Sequence, residues 1–115
     1  MTIRSTSRLP WLLCAVSLHA AALQTIDARD GQTALAKIAR RDPTRIRVER
    51  ATITDLYGDL YDRQRIPDGR LIAEPDRAKG EVFVRLREPG SQTVTLFVAT
   101  DRGTYGLLLQ PVDMP

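Results

Sequence analysis

The amino-acid sequence predicts an all-β fold, a small β-sandwich of about seven short strands. Turn signals recur along the chain at Asp30-Gly31, Asp42-Pro43-Thr44, Pro67-Asp68-Gly69, Glu74-Pro75-Asp76, Glu88-Pro89-Gly90 and Asp101-Arg102-Gly103. In each, Gly supplies positive φ, Pro fixes φ, or Asp bonds its own backbone. The runs between them are short and alternate apolar with polar residues, the period of two expected of a strand with one buried face.

The chain opens differently. Met1 to Arg8 holds Arg4 and Arg8 and no acid, and it leads into the apolar stretch Leu9 to Leu18. A basic head before an apolar run of this length is the pattern of a removable signal peptide. A membrane span needs roughly 20 apolar residues, and His19 interrupts this one early. Ala20 and Ala22 place small residues at −3 and −1, so the expected cut follows Ala22 and makes Leu23 the mature N-terminus. Residues 1–22 are then leader, and the mature chain carries no transmembrane span. Cys14 does not mark a lipoprotein, because Leu13 precedes it where a small residue is needed and it lies within the apolar run. It reads as a small hydrophobe.

Residues 23–115 suffice for one β-domain with a modest core and leave no room for a second. Gln32 to Arg41 is open between two forms. Ala34, Leu35, Ile38 and Ala39 fall at helical spacing among good helix formers, which slightly favours a short helix over 32–40; Ala34, Ala36 and Ile38 also alternate as a strand. Ile46-Arg47-Val48 and Ala51 to Tyr57 read as strands, and Leu71 to Ala73 as a short one after the Pro67-Asp68-Gly69 turn. Glu81 to Arg87 sets Val82, Val84 and Leu86 on one face and Arg85 and Arg87 on the other. Thr93 to Thr100 sets Val94, Leu96 and Val98 against Thr93, Thr95 and Phe97. Tyr105 to Gln110 pairs with it as a hairpin across Asp101-Arg102-Gly103, with Gly103 free to take positive φ. Pro111 suits a strand end or edge. Leu107 and Leu109 point to one side of the last strand and Leu108 to the other, where the charges that usually cover a solvent-facing strand are lacking.

Cleavage after Ala22 removes the only Cys, the only His and the only Trp: Cys14, His19 and Trp11. What is left has no disulfide, no thiolate, no imidazole base and none of the ligands that zinc and copper favour. Neither a metal nor another cofactor is expected, and stability has to come from packing. The formal charge of +3 reflects 17 Lys and Arg against 14 Asp and Glu. Loss of Arg4 and Arg8 brings the mature chain close to neutral, so charge says little about partners. Lys37 and Lys79 are the only lysines. An Arg bias suits interfaces, since the planar fork pairs with carboxylates and stacks on rings; a GC-rich genome choosing Arg codons accounts for it as well.

The densest acidic group is Asp55, Asp59 and Asp62, whose spacing does not match a calcium loop. It reads as a solvated loop paired with Arg63 and Arg65. Carboxylate pairs can drive hydrolysis without His, but they need a cleft that so small a domain rarely shapes, and no enzyme activity is expected. Arg45, Arg47 and Arg50 resemble a nucleic-acid patch on a small barrel, a reading weakened by near-neutral charge and by export, so direct nucleic-acid binding is not expected. Alternation leaves Arg45 and Arg47 opposite Ile46 and Val48, and Arg85 and Arg87 opposite Val82, Val84 and Leu86. Such faces meet solvent, or in an assembly they meet the next subunit, where charge complementarity fixes register. Arg45, Arg47, Arg85, Arg87 and Leu108 are the candidate partner-interface residues.

Asp30-Gly31-Gln32, the segment Ala39 to Ile46, the run Gly80 to Val84 and the tail Leu96 to Pro115 together resemble the N-terminal domain of the TraK family, over most of residues 24–115. That family belongs to F-type conjugative type IV secretion systems and is described as secretin-like. The resemblance implies a structural subunit of the periplasmic and outer-membrane core complex, arranged in an oligomeric ring with an outer-membrane lipoprotein and a TonB-like, inner-membrane-anchored partner. It also tips Gln32 to Ala39 toward a strand. Members usually continue past the position of Asp113-Met114-Pro115 into a C-terminal domain, and this sequence stops there. The other reading is a free-standing periplasmic β-domain that binds a small ligand or another envelope protein.

Overall fold

The structure is a computed structural model that describes residues 1–5 and 24–113. Nine strands lie among the described residues: β1 Thr2–Ser5, β2 Thr25–Ala28, β3 Thr33–Ala39, β4 Thr44–Val48, β5 Ile53–Gly58, β6 Leu71–Asp76, β7 Glu81–Leu86, β8 Val94–Thr100 and β9 Gly103–Val112. They form two mixed sheets, one ordered β2-β1-β4-β7-β6 and the other β3-β9-β8-β5. The all-β sandwich read from the sequence is the fold.

The alternating residues explain the layers. Ile46, Val48, Leu71, Val82 and Val84 of the first sheet and Ala36, Ile38, Ile53, Leu96, Val98, Tyr105, Leu107 and Leu109 of the second are buried in one cluster between the sheets. No polar or charged residue among those described is buried. The core is therefore held by apolar burial, worth about 25 cal/mol per Å², and by ladder hydrogen bonds.

Four elements differ from what the residues alone suggest. The short helix over 32–40 is not there: Thr33–Ala39 is strand β3, paired in parallel with β9 from Thr33↔Gly106 to Ala39↔Val112. The strand wins because it buries Ala36 and Ile38 while bonding its backbone along its whole length, whereas an isolated short helix is marginal. Glu74-Pro75-Asp76, which reads as a turn, lies inside β6. β6 is the edge of its sheet, where proline can turn its missing donor away from the ladder. Finally, β1 and β2 bring the total above seven. Thr2–Ser5, the head of the expected leader, lies between β2 and β4 and runs parallel to both.

The last hairpin matches its reading closely. β8 and β9 are antiparallel from Val94↔Leu109 to Thr100↔Gly103, and Gly103 takes φ +148. Pro111 sits near the end of β9, past its last pairing with β8.

Candidate interaction faces

The outer face of the second sheet carries an apolar patch, with exposed Lys37 and Gln110 paired at its margin. β3 presents Leu35, β9 Leu108, β8 Phe97 and β5 Tyr57, with fractional exposures of 63%, 38%, 37% and 48%. Register makes them neighbours: Leu35 lies beside Leu108 and Phe97 beside Tyr57. Gly106 joins the two pairs. It lies across from Phe97 on β8, and a Cβ there would come within 3.0 Å of the Phe97 ring. The absence of a side chain lets the ring lie over the β9 backbone. The result is a contiguous apolar patch on the outside of the sheet.

The outer face of the first sheet is charged. Arg45 and Arg47 project from β4 and Arg85 from β7, all exposed. Arg45 lies 3.8 Å from Glu81. Phe83, 46% exposed, lies opposite Arg45 and Glu74 in the ladders. Arg4 pairs with Asp27 at 3.3 Å. Pairs this exposed contribute little to stability, so their value lies in the pattern they present.

Sequence reasoning thus named residues on both faces, and the structure separates them: Arg45, Arg47 and Arg85 on one outer surface, Leu108 on the other. Arg87 stands apart, just past β7. Its guanidinium lies 4.1 Å from the Tyr61 ring centroid and donates to the Pro67 carbonyl at 2.8 Å, fixing the Asp59–Gly69 loop. Ala20, Ala22 and Leu23 lie outside the described residues. Leu35 was missed because the helical reading of its segment put it with Ala34 and Ile38; strict alternation, Ala34, Ala36 and Ile38 inward, turns it outward. Phe97 carries the same signal, whereas alternation from the buried Ile53 puts Tyr57 inward and the register shift between Ile53 and Asp55 turns it out; only the sheet order shows that both meet Leu108.

The acidic group does not converge. Asp55 accepts from the Leu56 N–H, Asp59 from the Thr95 N–H, and Asp62 from the Gln64 and Arg65 N–H groups. Hydrogen bonds from Gln64 and then Arg65 hold the Asp62 carboxyl below its ordinary pKa. Asp59 also lies 3.8 Å from Arg70. Each carboxylate is used locally, and no cluster of three metal-ligating side chains occurs among the described residues. A cavity of about 340 Å³ lies between Gly69-Arg70 and the loop from Arg87 to Gln92; of its charged lining residues, Arg70 is bonded to the Gln92 side chain and Arg87 to the Pro67 carbonyl.

The exposed sheet edges are blunted. On β3, the Gln24 amide accepts from the Lys37 N–H at 3.1 Å and donates to the Lys37 carbonyl at 3.2 Å, and Thr44 Oγ1 accepts from the Ala39 N–H. β6 carries Pro75. β5 has an irregular register between Ile53 and Asp55, where Arg77 donates to the Thr54 carbonyl at 2.7 Å. Such devices keep edges from pairing indiscriminately.

A β-sandwich module with arginines on one outer face and an apolar patch on the other is the class that fold and surface define. Residues 27–115 match the model of the TraK N-terminal domain, and the chain belongs to that family. The family is one of structural proteins of conjugative type IV secretion. No curated protein is found to match the chain. Among the described residues no helix is long and apolar enough to cross a membrane.

Proposed function

We infer that the protein is a structural subunit of the core complex of a conjugative type IV secretion system, exported by residues 1–22 and held at the outer membrane from the periplasmic side. It acts in DNA transfer by assembling with protein, without turnover and without touching DNA itself. Its neighbours are further copies of itself in a ring, an outer-membrane lipoprotein and a TonB-like subunit anchored in the inner membrane.

The observation that carries this reading is the match to the TraK N-terminal domain over residues 27–115. Two features support it. The apolar patch of Leu35, Leu108, Phe97 and Tyr57 is a surface that a monomer leaves uncovered at a cost in solubility. The opposite arginine face offers register and encounter steering to an acidic neighbour. A domain held on both faces suits a ring position.

The test is co-purification. The full chain, tagged at its C-terminus and produced with the other subunits of a conjugation cluster, is expected to bring down at least one core subunit from the envelope fraction. Recovery of the tagged chain alone from every detergent and salt condition overturns the reading.

A further inference from the structure

We propose that the mature domain is an incomplete sheet whose gap, between β2 and β4, accepts an extended segment of another envelope subunit. This rests on the reading that residues 1–22 are removed by signal peptidase.

In the precursor that gap is filled by β1. Ile3 is fully buried and Met1 nearly so, both within the central cluster. The backbone is bonded on both sides: the Thr2 N–H donates to the Gln24 carbonyl at 2.8 Å, the Arg47 N–H to the Met1 carbonyl at 2.8 Å and the Glu49 N–H to the Ile3 carbonyl at 3.1 Å. Cutting after Ala22 severs β1 from the domain. It leaves an interior slot with an apolar floor and unpaired donors at Arg47 and Glu49, which an added strand can satisfy.

The slot is kept from closing by the anchoring of β2. At one end Gln24 is bonded to both backbone groups of Lys37. At the other the Gly31 N–H donates to the Thr104 carbonyl and Asp30 accepts from the Thr104 N–H at 2.7 Å. Both anchors hold β2 toward the second sheet and away from β4.

β1 also gives the chemistry of the occupant. It needs apolar residues two apart, the second β-branched, at the positions of Met1 and Ile3, and a basic residue next to reach Asp27 as Arg4 does. Burial first, and the Arg45 charge second, lower the pKa of the Met1 ammonium, while its nitrogen donates to the Arg45 carbonyl at 2.7 Å. A neutral peptide N–H makes that bond without the charge, so an internal segment fits better than a free N-terminus. The described segment of this chain with the same pattern, Val82 to Arg85, is already an interior strand. The donor is therefore a different subunit.

The full precursor is exported in a bacterial host and the product purified from the envelope. N-terminal sequencing comes first: Leu23 satisfies the export reading, whereas Met1 ends that reading and the vacancy with it. The Leu23 product is then mixed with the acetylated, amidated peptide of residues 1–8. The peptide is expected to raise the melting temperature by at least about 4 °C at saturation and to slow exchange of the Arg47 and Glu49 amides at least about tenfold. The same peptide with Ile3→Asp is expected to do neither. If the processed product is unfolded alone, recovery of β-sheet circular dichroism on refolding with the peptide, and not with its Ile3→Asp form, supports the slot. Unchanged melting, no recovery, or Arg47 and Glu49 amides already protected without peptide overturns it. A photo-crosslinker at Thr25, in cells carrying the transfer system, is expected to capture a different subunit; a homodimer overturns the choice of occupant.

Discussion

Tyr105 is fully buried, yet its hydroxyl has no hydrogen-bond partner among the described residues. A buried polar group left unpaired costs about 1–3 kcal/mol, and the ring itself belongs to the core cluster, with Val98 as its cross-strand neighbour. Tyr105→Phe keeps the ring and removes the hydroxyl. In urea unfolding this variant is expected to be as stable as the parent or up to about 1 kcal/mol more stable. A loss larger than about 1 kcal/mol shows that the hydroxyl has a partner and contributes to the fold. At this scale the sequence is informative about position and silent about satisfaction. Alternation puts Tyr105, Leu107 and Leu109 inward, but nothing along the chain tells whether a hydroxyl will meet an acceptor from a strand distant in sequence.

Individual strands were legible where period and punctuation agreed. β7, β8 and β9 combine clean alternation with a tight turn at Gly103. β3 is ambiguous in the sequence because the six residues from Ala34 to Ala39, all Ala, Leu, Lys or Ile, satisfy both periods, and only its long parallel pairing with β9 decides. The sequence marks β6 only over Leu71 to Ala73, because Pro75 reads as a turn, yet an edge strand tolerates proline and the strand runs on to Asp76. The turn from β6 to β7, packed against the connection from β4 to β5, carries a further constraint. Gly80 has φ +69, and a Cβ there would lie 2.4 Å from the Ala51 carbonyl oxygen, a backbone atom that cannot swing aside. Its own carbonyl accepts from the Val48 N–H at 2.8 Å, tying the start of β7 to the end of β4. Left-handed backbone costs a non-glycine residue about 1–2 kcal/mol, and the clash adds to it. Gly80→Ala is therefore expected to lower unfolding free energy by at least about 2 kcal/mol with an unchanged urea m-value. A variant as stable as the parent means that the β4–β5 connection moves freely.

For the molecule as a whole, the two-layer class is legible in the sequence, and so are the faces of β4, β7, β8 and β9, but not which strands share a face. Arg45, Arg47 and Arg85 come together because β4 and β7 are neighbours. Leu108 gains Leu35, Phe97 and Tyr57 because β9 lies between β3 and β8 with β5 beyond. Strand order is set by long-range pairing that no local pattern encodes, so the apolar patch as a unit emerges only from the fold. Its role in assembly can be separated from a role in stability by Leu108→Arg. The side chain points away from the core and is more than one third exposed, while its neighbours Leu107 and Leu109 carry the buried contacts. Exposed substitutions away from special features usually change stability by no more than about 0.5 kcal/mol, so the variant is expected to keep its circular dichroism spectrum and its melting temperature within a few degrees. If the patch is a docking face, a guanidinium buried there without a partner is costly, and co-purification with the core subunits is expected to be lost. Arg85→Glu, on the opposite sheet, separates the two faces: its effect on association is expected to vary with ionic strength, while that of Leu108→Arg is not. A Leu108→Arg protein that melts early or aggregates places Leu108 in the stability of the domain, and one that still assembles fully moves the contact to the arginine face.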